Sequence, residues 1–470
     1  MNTPINHVSA DVSPTLRNQT AGQTMIMASG SGIKALTATT TQTAPAKKTR
    51  KKSSTVTAER LQAMASVRTT PAKGRLLWVG DATVPTGFAT VTHSVLQHLH
   101  QDWEVFVSGV NYNGGAHDYP YPILPAWQGG DMWGMNRFSA LCEEIAPDVA
   151  IINNDWWNVA AFLDHAPKNL PILGYMPVDG AHLDPADIRR LEGLSEAVWY
   201  TDFGYQEAVQ AGFTGARHVI PHGLDGNLWQ SGEKAAARAR LGLKLPEDAF
   251  IVGNVNRNQP RKRLDVTIRL FAHWTKTHDI KNAWLLLHCA KKDTGWNLER
   301  VANFYGVADR LILTGPQELH QAGDASQLQD TYNALDVQVS TTLGEGWGLT
   351  TMEGMACGIP QIVPDWAALG EWTGPAIKVP CTTELVHPEI NTVGALPDET
   401  LFIEKLQALY ADATLREKLS REGSAHVRQP QFAWSDVAGR FESLMLAATQ
   451  KGAVITSQSR TASLVPAASL

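Results

Sequence analysis

From Arg75 onward, short apolar runs bounded by Gly and Pro alternate with stretches of helical periodicity. That order is the signature of a parallel sheet with crossover helices. Arg75–Gly80 predicts a first strand, followed by a Gly/Pro loop and a helix from about Ala89 to Leu99. Further strands are predicted at Glu104–Val107, Val149–Asn153, Ile172–Tyr175, Ala197–Tyr200 and His218–Ile220. The pattern then restarts, with strands at Phe250–Gly253, Trp284–His288, Arg310–Leu313, Val337–Ser340 and Gln361–Val363. Between the two series, Ala235–Leu241 is a polar helical stretch suited to a connection. Near the end, Val437, Phe441, Leu444 and Met445 repeat at the spacing of a buried helical stripe, with Ser435 as a candidate cap. The expected class is α/β: two doubly wound, Rossmann-like domains facing across a cleft, with ligands at the carboxyl ends of the strands. The expected bounds are a basic tail over 1–72, an N-terminal domain over 73–228 completed by a C-terminal helix over 432–449, a second domain over 229–431 and a flexible tail over 450–470.

Composition narrows the class. With 470 residues, 43% of them hydrophobic, the chain has apolar mass for two domains. Cys142, Cys289, Cys357 and Cys381 lie far apart with no C-x-x-C pair, which predicts neither a disulfide framework nor structural zinc. Apolar runs such as Trp284–Leu287 fall far short of the ~20 residues that span a bilayer, and no apolar leader core precedes them, so a soluble cytoplasmic protein is expected. Residues 1–72 hold nine Lys/Arg against Asp11 and Glu59, a net charge of +7, which leaves −13 on the rest. Their Thr/Ser/Ala/Gln-rich texture predicts disorder, with one short helix near Ala58–Val67. The basic run 47–52 is either a solvated linker or a contact to an anionic partner, modified DNA or a membrane surface.

Two segments carry the strongest candidate chemistry. Gly344-Glu345-Gly346-Trp347-Gly348-Leu349 follows a predicted strand and opens a helix that ends at Gly358-Ile359-Pro360. Glycines before a helix let its backbone N–H groups approach an anion, where the helix dipole adds attraction, so a diphosphate suits this turn. Glu345 and Glu353 then point carboxylates toward the same cleft, where they can accept hydrogen bonds from sugar hydroxyls. The second segment, Gly253–Arg263, places Arg257, Arg261, Lys262 and Arg263 at another strand end. Four cations there can neutralise a diphosphate and the charge that grows on a leaving group.

The E-x7-E pair in an E-G-W-G-L setting resembles the retaining GT-B glycosyltransferases, specifically glycosyltransferase family 4. The resemblance runs over most of Arg75 to Ala447 and implies the GT-B fold. It also implies a metal-independent sugar transfer from a nucleoside-diphosphate sugar, bound as donor substrate with no separate cofactor, to an acceptor hydroxyl. By that resemblance Glu345 sits near the donor sugar, Glu353 binds the ribose, the turn Gly346, Trp347, Gly348 and Leu349 holds the distal phosphate and sugar, and Arg257 and Lys262 stabilise the leaving diphosphate. Arg263 stands where the family often has Gly, and offers a further phosphate or acceptor contact. Ile220-Pro221-His222-Gly223-Leu224-Asp225 resembles a family stretch near the domain crossover.

The first domain supplies the remaining candidates. Thr86 and Gly87, in the loop after the first strand, are expected against the donor phosphates. Many family members carry a His near the donor sugar; here the corresponding region reads Gly174-Tyr175-Met176-Pro177-Val178-Asp179-Gly180-Ala181-His182, leaving Asp179 or His182 to take its place. Asn153-Asn154-Asp155-Trp156-Trp157-Asn158 ends another strand, with Asp155 a candidate on the acceptor side and the tryptophans either a sugar face or core. Asp202, His218 and His222 lack metal-ligand spacing, so no metal is expected. The acceptor (polysaccharide, lipid, small molecule or hydroxylated DNA base) stays open. The rival functions are a nucleotide-sugar epimerase of the same architecture and a non-catalytic nucleotide-sugar-binding protein.

Overall fold

A computed structural model of the chain describes residues 72–317, 325–388 and 390–462, with the side chains of 451–462 left aside. The basic tail, its short helix and the run 47–52 lie outside the described residues, as do 463–470. Among the described residues, the first series of strands forms a seven-stranded parallel sheet. It is built from β1 (Arg75–Asp81), β2 (Glu104–Val110), β3 (Ile123–Pro125), β4 (Val149–Asn153), β5 (Ile172–Met176), β6 (Glu196–Trp199) and β7 (His218–Val219), in the order β3-β2-β1-β4-β5-β6-β7. Strands β1, β4 and β5 carry almost no exposed residue, as expected of parallel strands covered by helices on both faces.

The second series repeats the plan. β8 (Phe250–Val255), β9 (Ala283–His288), β10 (Leu311–Thr314), β11 (Val337–Val339), β12 (Gln361–Pro364) and β13 (Ile377–Val379) pair in the order β10-β9-β8-β11-β12-β13. In each sheet the strand order reverses beside the first strand, between β1 and β4 and between β8 and β11. Such a reversal leaves a crevice at the carboxyl ends of the two strands. The loops after β1, β4, β8 and β11 are those that hold most of the candidate residues.

Four of the strands among the described residues, β3, β13, β14 (Cys381–Val386) and β15 (Val393–Pro397), escape the hydrophobic pattern. β3 is three residues long and set among Pro120, Pro122 and Pro125, too short to show a period. β13 is as short, and β14 pairs antiparallel with β15 while exposing most of its side chains, so no apolar run marks it. The last helix begins at Trp434, placing Ser435 inside its first turn and not at the cap. It continues to Ala462, so residues 450–462 are helical and not the loose tail that their composition predicts.

That helix returns the chain to the first sheet. The Phe441 ring meets Trp78 edge-on at 6.1 Å and Tyr175 at 4.8 Å, and all three are fully buried. Trp103 Nε1 donates to Glu442 at 3.0 Å. Truncating a buried Phe of this kind costs about 3–5 kcal/mol.

Candidate functional site

The two sheets meet through their strand-end loops. Asp179 and Gly180 follow β5, Gly344 and Gly346 follow β11, and these loops press together so closely that side chains are excluded. A Cβ on Gly344 would stand 1.7 Å from the Asp179 carbonyl oxygen, and one on Gly346 would stand 2.3 Å from the Pro177 side chain. Next to this contact, Ala181 and Val393 exchange backbone hydrogen bonds of 2.8 and 2.9 Å, so β15 also leans on the first half of the chain.

Four ionised side chains converge there. Lys262 Nζ lies 2.5 Å from Glu345 Oε1, Arg261 Nη1 lies 3.4 Å from Glu345 Oε2, and Arg261 Nε lies 3.1 Å from Asp179 Oδ2. Arg261 also donates to the Gly344 carbonyl. The short turn Pro260–Lys262 after β8 aims both cations at Glu345, and Arg263 ends that turn in the left-handed region (φ 51°) before the helix Leu264–Thr277 starts. Lys262 and Glu345 are both buried. Burial, helped by the Arg261 charge, pulls the Lys262 ammonium down to about 8 against the pull of Glu345. Burial pushes the Glu345 carboxyl up, but Lys262 and Arg261 together outweigh it and hold the group below the ordinary carboxylate value.

Around this cluster the remaining candidates sort themselves. Gly348 (φ 95°) is the left-handed turn that starts the helix Leu349–Ala356, a conformation glycine adopts freely, and its neighbour Leu349 comes within 3.5 Å of a Cβ placed on Gly87. Thr86 therefore stands across the cleft from that turn. Its hydroxyl accepts from Ala89 N at 3.2 Å as a helix cap and donates to Asp81 Oδ2 at 2.7 Å. Glu353 is buried one turn further along its helix and accepts from the Tyr332 hydroxyl at 2.6 Å. Burial raises it to about 7, against the lowering effect of that hydrogen bond. Asp155 is likewise raised to about 7, first by burial and then by the charges of Asp179 and Asp81, with Arg261 opposing.

Other candidates fall elsewhere. Arg257 is engaged by Asp293 through two bonds of 3.0 and 3.1 Å, so Arg261, four residues on, occupies the place beside Glu345. The resemblance singles out Arg257 from this basic turn, and nothing in the residue types shows that Arg261 is the one beside Glu345. Arg263 grips Asp265 through bonds of 3.0 and 2.8 Å. The Trp347 ring is buried and stacks on Trp372 with centroids 4.7 Å apart; only its backbone belongs to the turn. His182 is exposed, and its backbone N–H donates to Glu207 at 3.0 Å, which leaves Asp179 as the residue brought to the cluster. Trp156 is core, T-shaped on Trp157 at 5.1 Å, while Asn153 and Asn154 are spent on Tyr200, Asp155 N and Asn158. His222 is boxed in by Tyr200, Trp347 and Trp434, and burial lowers it to about 3. His218 pairs with Glu196 and Asp202 with Arg217. Among the described residues no group of three or more His, Cys, Asp or Glu is arranged to hold a metal, and no helix is long and apolar enough to cross a membrane.

Comparison with solved structures gives the same architecture. The chain superposes on sucrose-phosphate synthase from Thermosynechococcus elongatus with a TM-score of 0.62 at 20% identity, covering 80% of this chain and 100% of that one. The fold is GT-B. A GT-B neighbour from Anabaena, HepE in complex with UDP and glucose, superposes with a TM-score of 0.60 at 14% identity, over 80% and 100% of the two chains. In sequence, residues 246–412 match the family model described as "Glycosyl transferases group 1", which covers the second GT-B half and both glutamates. A D-inositol 3-phosphate glycosyltransferase of Stackebrandtia nassauensis is 30% identical over 227 residues, 47% of this chain and 46% of that protein. Another, of Thermobispora bispora, is 32% identical over 142 residues, 30% of this chain and 33% of that protein. This chain thus spans less than half the length of these curated relatives.

Proposed function

We propose that the protein is a retaining glycosyltransferase of the family 4 type, transferring a sugar from a nucleoside-diphosphate sugar to an acceptor hydroxyl without a metal. One observation carries the reading: Arg261 and Lys262 stand against Glu345 beside the amino end of the helix Leu349–Ala356, at the strand reversal of the second sheet. The match to the group 1 transferase family over 246–412 and the fold shared with a protein bound to UDP and glucose support it.

In this reading the donor diphosphate enters between Lys262, Arg261 and the amides of Gly346–Leu349. The cations accelerate the reaction to the extent that they hold the departing diphosphate more tightly than the intact donor. Glu345 lies beside the sugar as positive charge develops on it. Glu353 takes hydroxyl protons of the ribose as hydrogen bonds. The acceptor hydroxyl attacks from the face the diphosphate leaves and passes its proton to a donor phosphate oxygen; Asp179 and Asp155 orient it from the first half. The tight contact of the loops around Gly344 keeps water from the sugar.

Calorimetric titration with UDP-, GDP- and ADP-sugars, repeated on Glu353→Ala, tests the donor site. Binding of one donor that the substitution weakens is expected. A folded protein that binds none of them refutes the reading.

A further inference from the structure

Of the seven large apolar side chains exposed among the described residues, three fall in one stretch between β2 and the helix Phe138–Ile145: Tyr119 (41% exposed), Trp127 (43%) and Met132 (37%). Single exposed apolar residues are ordinary, but two large rings exposed within one stretch make that stretch a candidate binding surface. The Tyr119 ring is held in place. Tyr119 lies flat on His93, centroids 3.5 Å apart and planes 3° apart, and His93 is itself fixed by the Tyr121 hydroxyl at 2.8 Å and the Ala82 carbonyl at 2.5 Å. The Trp127 backbone donates to Tyr112 at 2.9 Å. The turn that follows is clamped by Asp131, which accepts from the N–H groups of Trp133, Gly134 and Asn136 at 2.9–3.0 Å. A ring fixed before a ligand arrives, as Tyr119 is, costs little further entropy on binding.

The stretch also belongs to the cleft rim. Asn111 N donates to the Met132 carbonyl at 2.9 Å, and its side chain donates to Asp81 at 3.0 Å. Asp81 ends β1 and accepts from Thr86 opposite the donor turn. The aromatic surface is therefore tied to the carboxyl end of β1, with Gly129 and Gly130 at an open tip where an added Cβ would meet nothing.

The charge around the rings selects the ligand. From Asn111 to Asn136 there is no Lys or Arg, while Asp118 and Asp131 are present, and Arg137 is committed to the Pro125 carbonyl at 2.7 Å. A nucleic-acid strand would bring phosphates that need cations. A sugar ring needs a flat apolar face for its C–H groups and acceptors for its hydroxyls. We propose that this stretch is a saccharide platform, with Tyr119 and Trp127 stacking on the rings of a carbohydrate acceptor chain whose reacting hydroxyl enters the cleft. That the bound glycan is the acceptor rests on the transferase reading; that a glycan binds there does not.

The test uses the full chain without donor on an array of neutral and uronate-containing oligosaccharides, with a fluorescent single-stranded DNA as comparison. The wild type should capture at least one oligosaccharide. Tyr119→Ala/Trp127→Ala should weaken that capture at least ~10-fold, and Tyr119→Phe/Trp127→Phe should restore most of it, because the ring and not the hydroxyl or indole nitrogen is required. Failure of the wild type to capture any glycan overturns the platform, as does equal capture by the alanine variant or DNA capture with the same ring dependence. Glycan capture without binding of any nucleotide sugar in calorimetry leaves the platform standing and removes the transferase reading; donor binding without glycan capture does the reverse.

Discussion

At the carboxyl ends of their strands the two halves of this molecule present opposite chemistry on the same architecture. After β8 and β11 the second half offers Arg261, Lys262 and the amino end of the helix Leu349–Ala356, a setting for concentrated negative charge. After β1, β4 and β5 the first half offers Asp81, Asp155 and Asp179, with amides and exposed rings nearby, a setting for hydroxyls. A parallel sheet fixes where a ligand sits but not what it is; the loops decide that. Arg261 and Glu345 are where the two chemistries are joined, since Arg261 pairs with a carboxylate from each half.

The largest expected effect comes from removing the charge contrast. Lys262→Ala and Glu345→Ala should each reduce sugar transfer at least ~100-fold, the scale of deleting one preorganised charge-stabilising group. Each also leaves a buried charge short of a partner, so stability should fall by up to about 3–5 kcal/mol while circular dichroism stays native. Near-normal transfer in either variant would show that the opposition between the halves is structural and not catalytic.

Removing the close approach between the halves should come next. Gly344→Ala places a methyl group on the Asp179 carbonyl, and because the obstacle is backbone it cannot rotate away. We expect about a tenfold or greater loss of transfer, with ~1–3 kcal/mol of destabilisation from overpacking. Full activity in the Gly344→Ala variant would mean that the loops need not touch during turnover.

What the sequence made legible follows the same division. The second half could be read because its chemistry lies in contiguous segments: Gly344–Leu349 and Arg257–Arg263 carry their own turn, helix start and charges, so spacing alone places them. Even there Arg257 is the arginine expected at the diphosphate and the place of Arg261 beside Glu345 goes unforeseen, because Asp293, which engages Arg257, lies 36 residues away across β9. The first half was less legible because its site is assembled from afar. Asp179 and His182 cannot be told apart in the sequence, yet the loop after β5 brings Asp179 to Arg261 while His182 sits exposed past the turn. The rings of Tyr119 and Trp127 flank a three-residue strand that no period reveals, and Tyr119 is fixed by a histidine on a helix 26 residues upstream. The Trp347 ring is illegible for a simpler reason: a glycine-rich turn gives no sign that its one large side chain turns inward onto Trp372.

The pH dependence of the second half gives a smaller test. Glu353 is raised to about 7 from an ordinary value near 4.5, so the folded protein holds a proton that the unfolded chain releases. Stability from this group is therefore fullest below pH 4.5 and declines as pH rises through 7. Glu353→Gln should flatten that decline and raise the melting temperature at about pH 8 relative to wild type. If ribose hydroxyls donate to this carboxylate, donor binding near pH 6 should also release a proton, seen as a dependence of the calorimetric heat on the buffer's ionisation enthalpy. A wild-type stability that rises between about pH 5 and 8, unchanged by the substitution, would place the proton elsewhere.

The weakest link to be broken is one where a residue of the second half completes an element of the first. Glu371, in the helix Ala367–Trp372, accepts from the backbone N–H groups of Asp202 at 2.9 Å and Phe203 at 2.6 Å, the first two of the helix Asp202–Gln210. Thr201 already caps that helix by accepting from Gly204 N at 3.2 Å, so Glu371 satisfies two further donors that its own chain segment leaves open. Its negative charge also meets the positive end of the helix dipole. Both donors can turn to water when the carboxylate is lost, so Glu371→Ala should cost only about 0.5–2 kcal/mol, read as a shift of the urea midpoint. Glu371→Gln, which keeps an acceptor and loses the charge, should cost less. A full-sized loss in the glutamine variant would assign the contact to charge, whereas no loss in either variant would leave the site loops and the Ala181–Val393 backbone bonds to hold the two halves together.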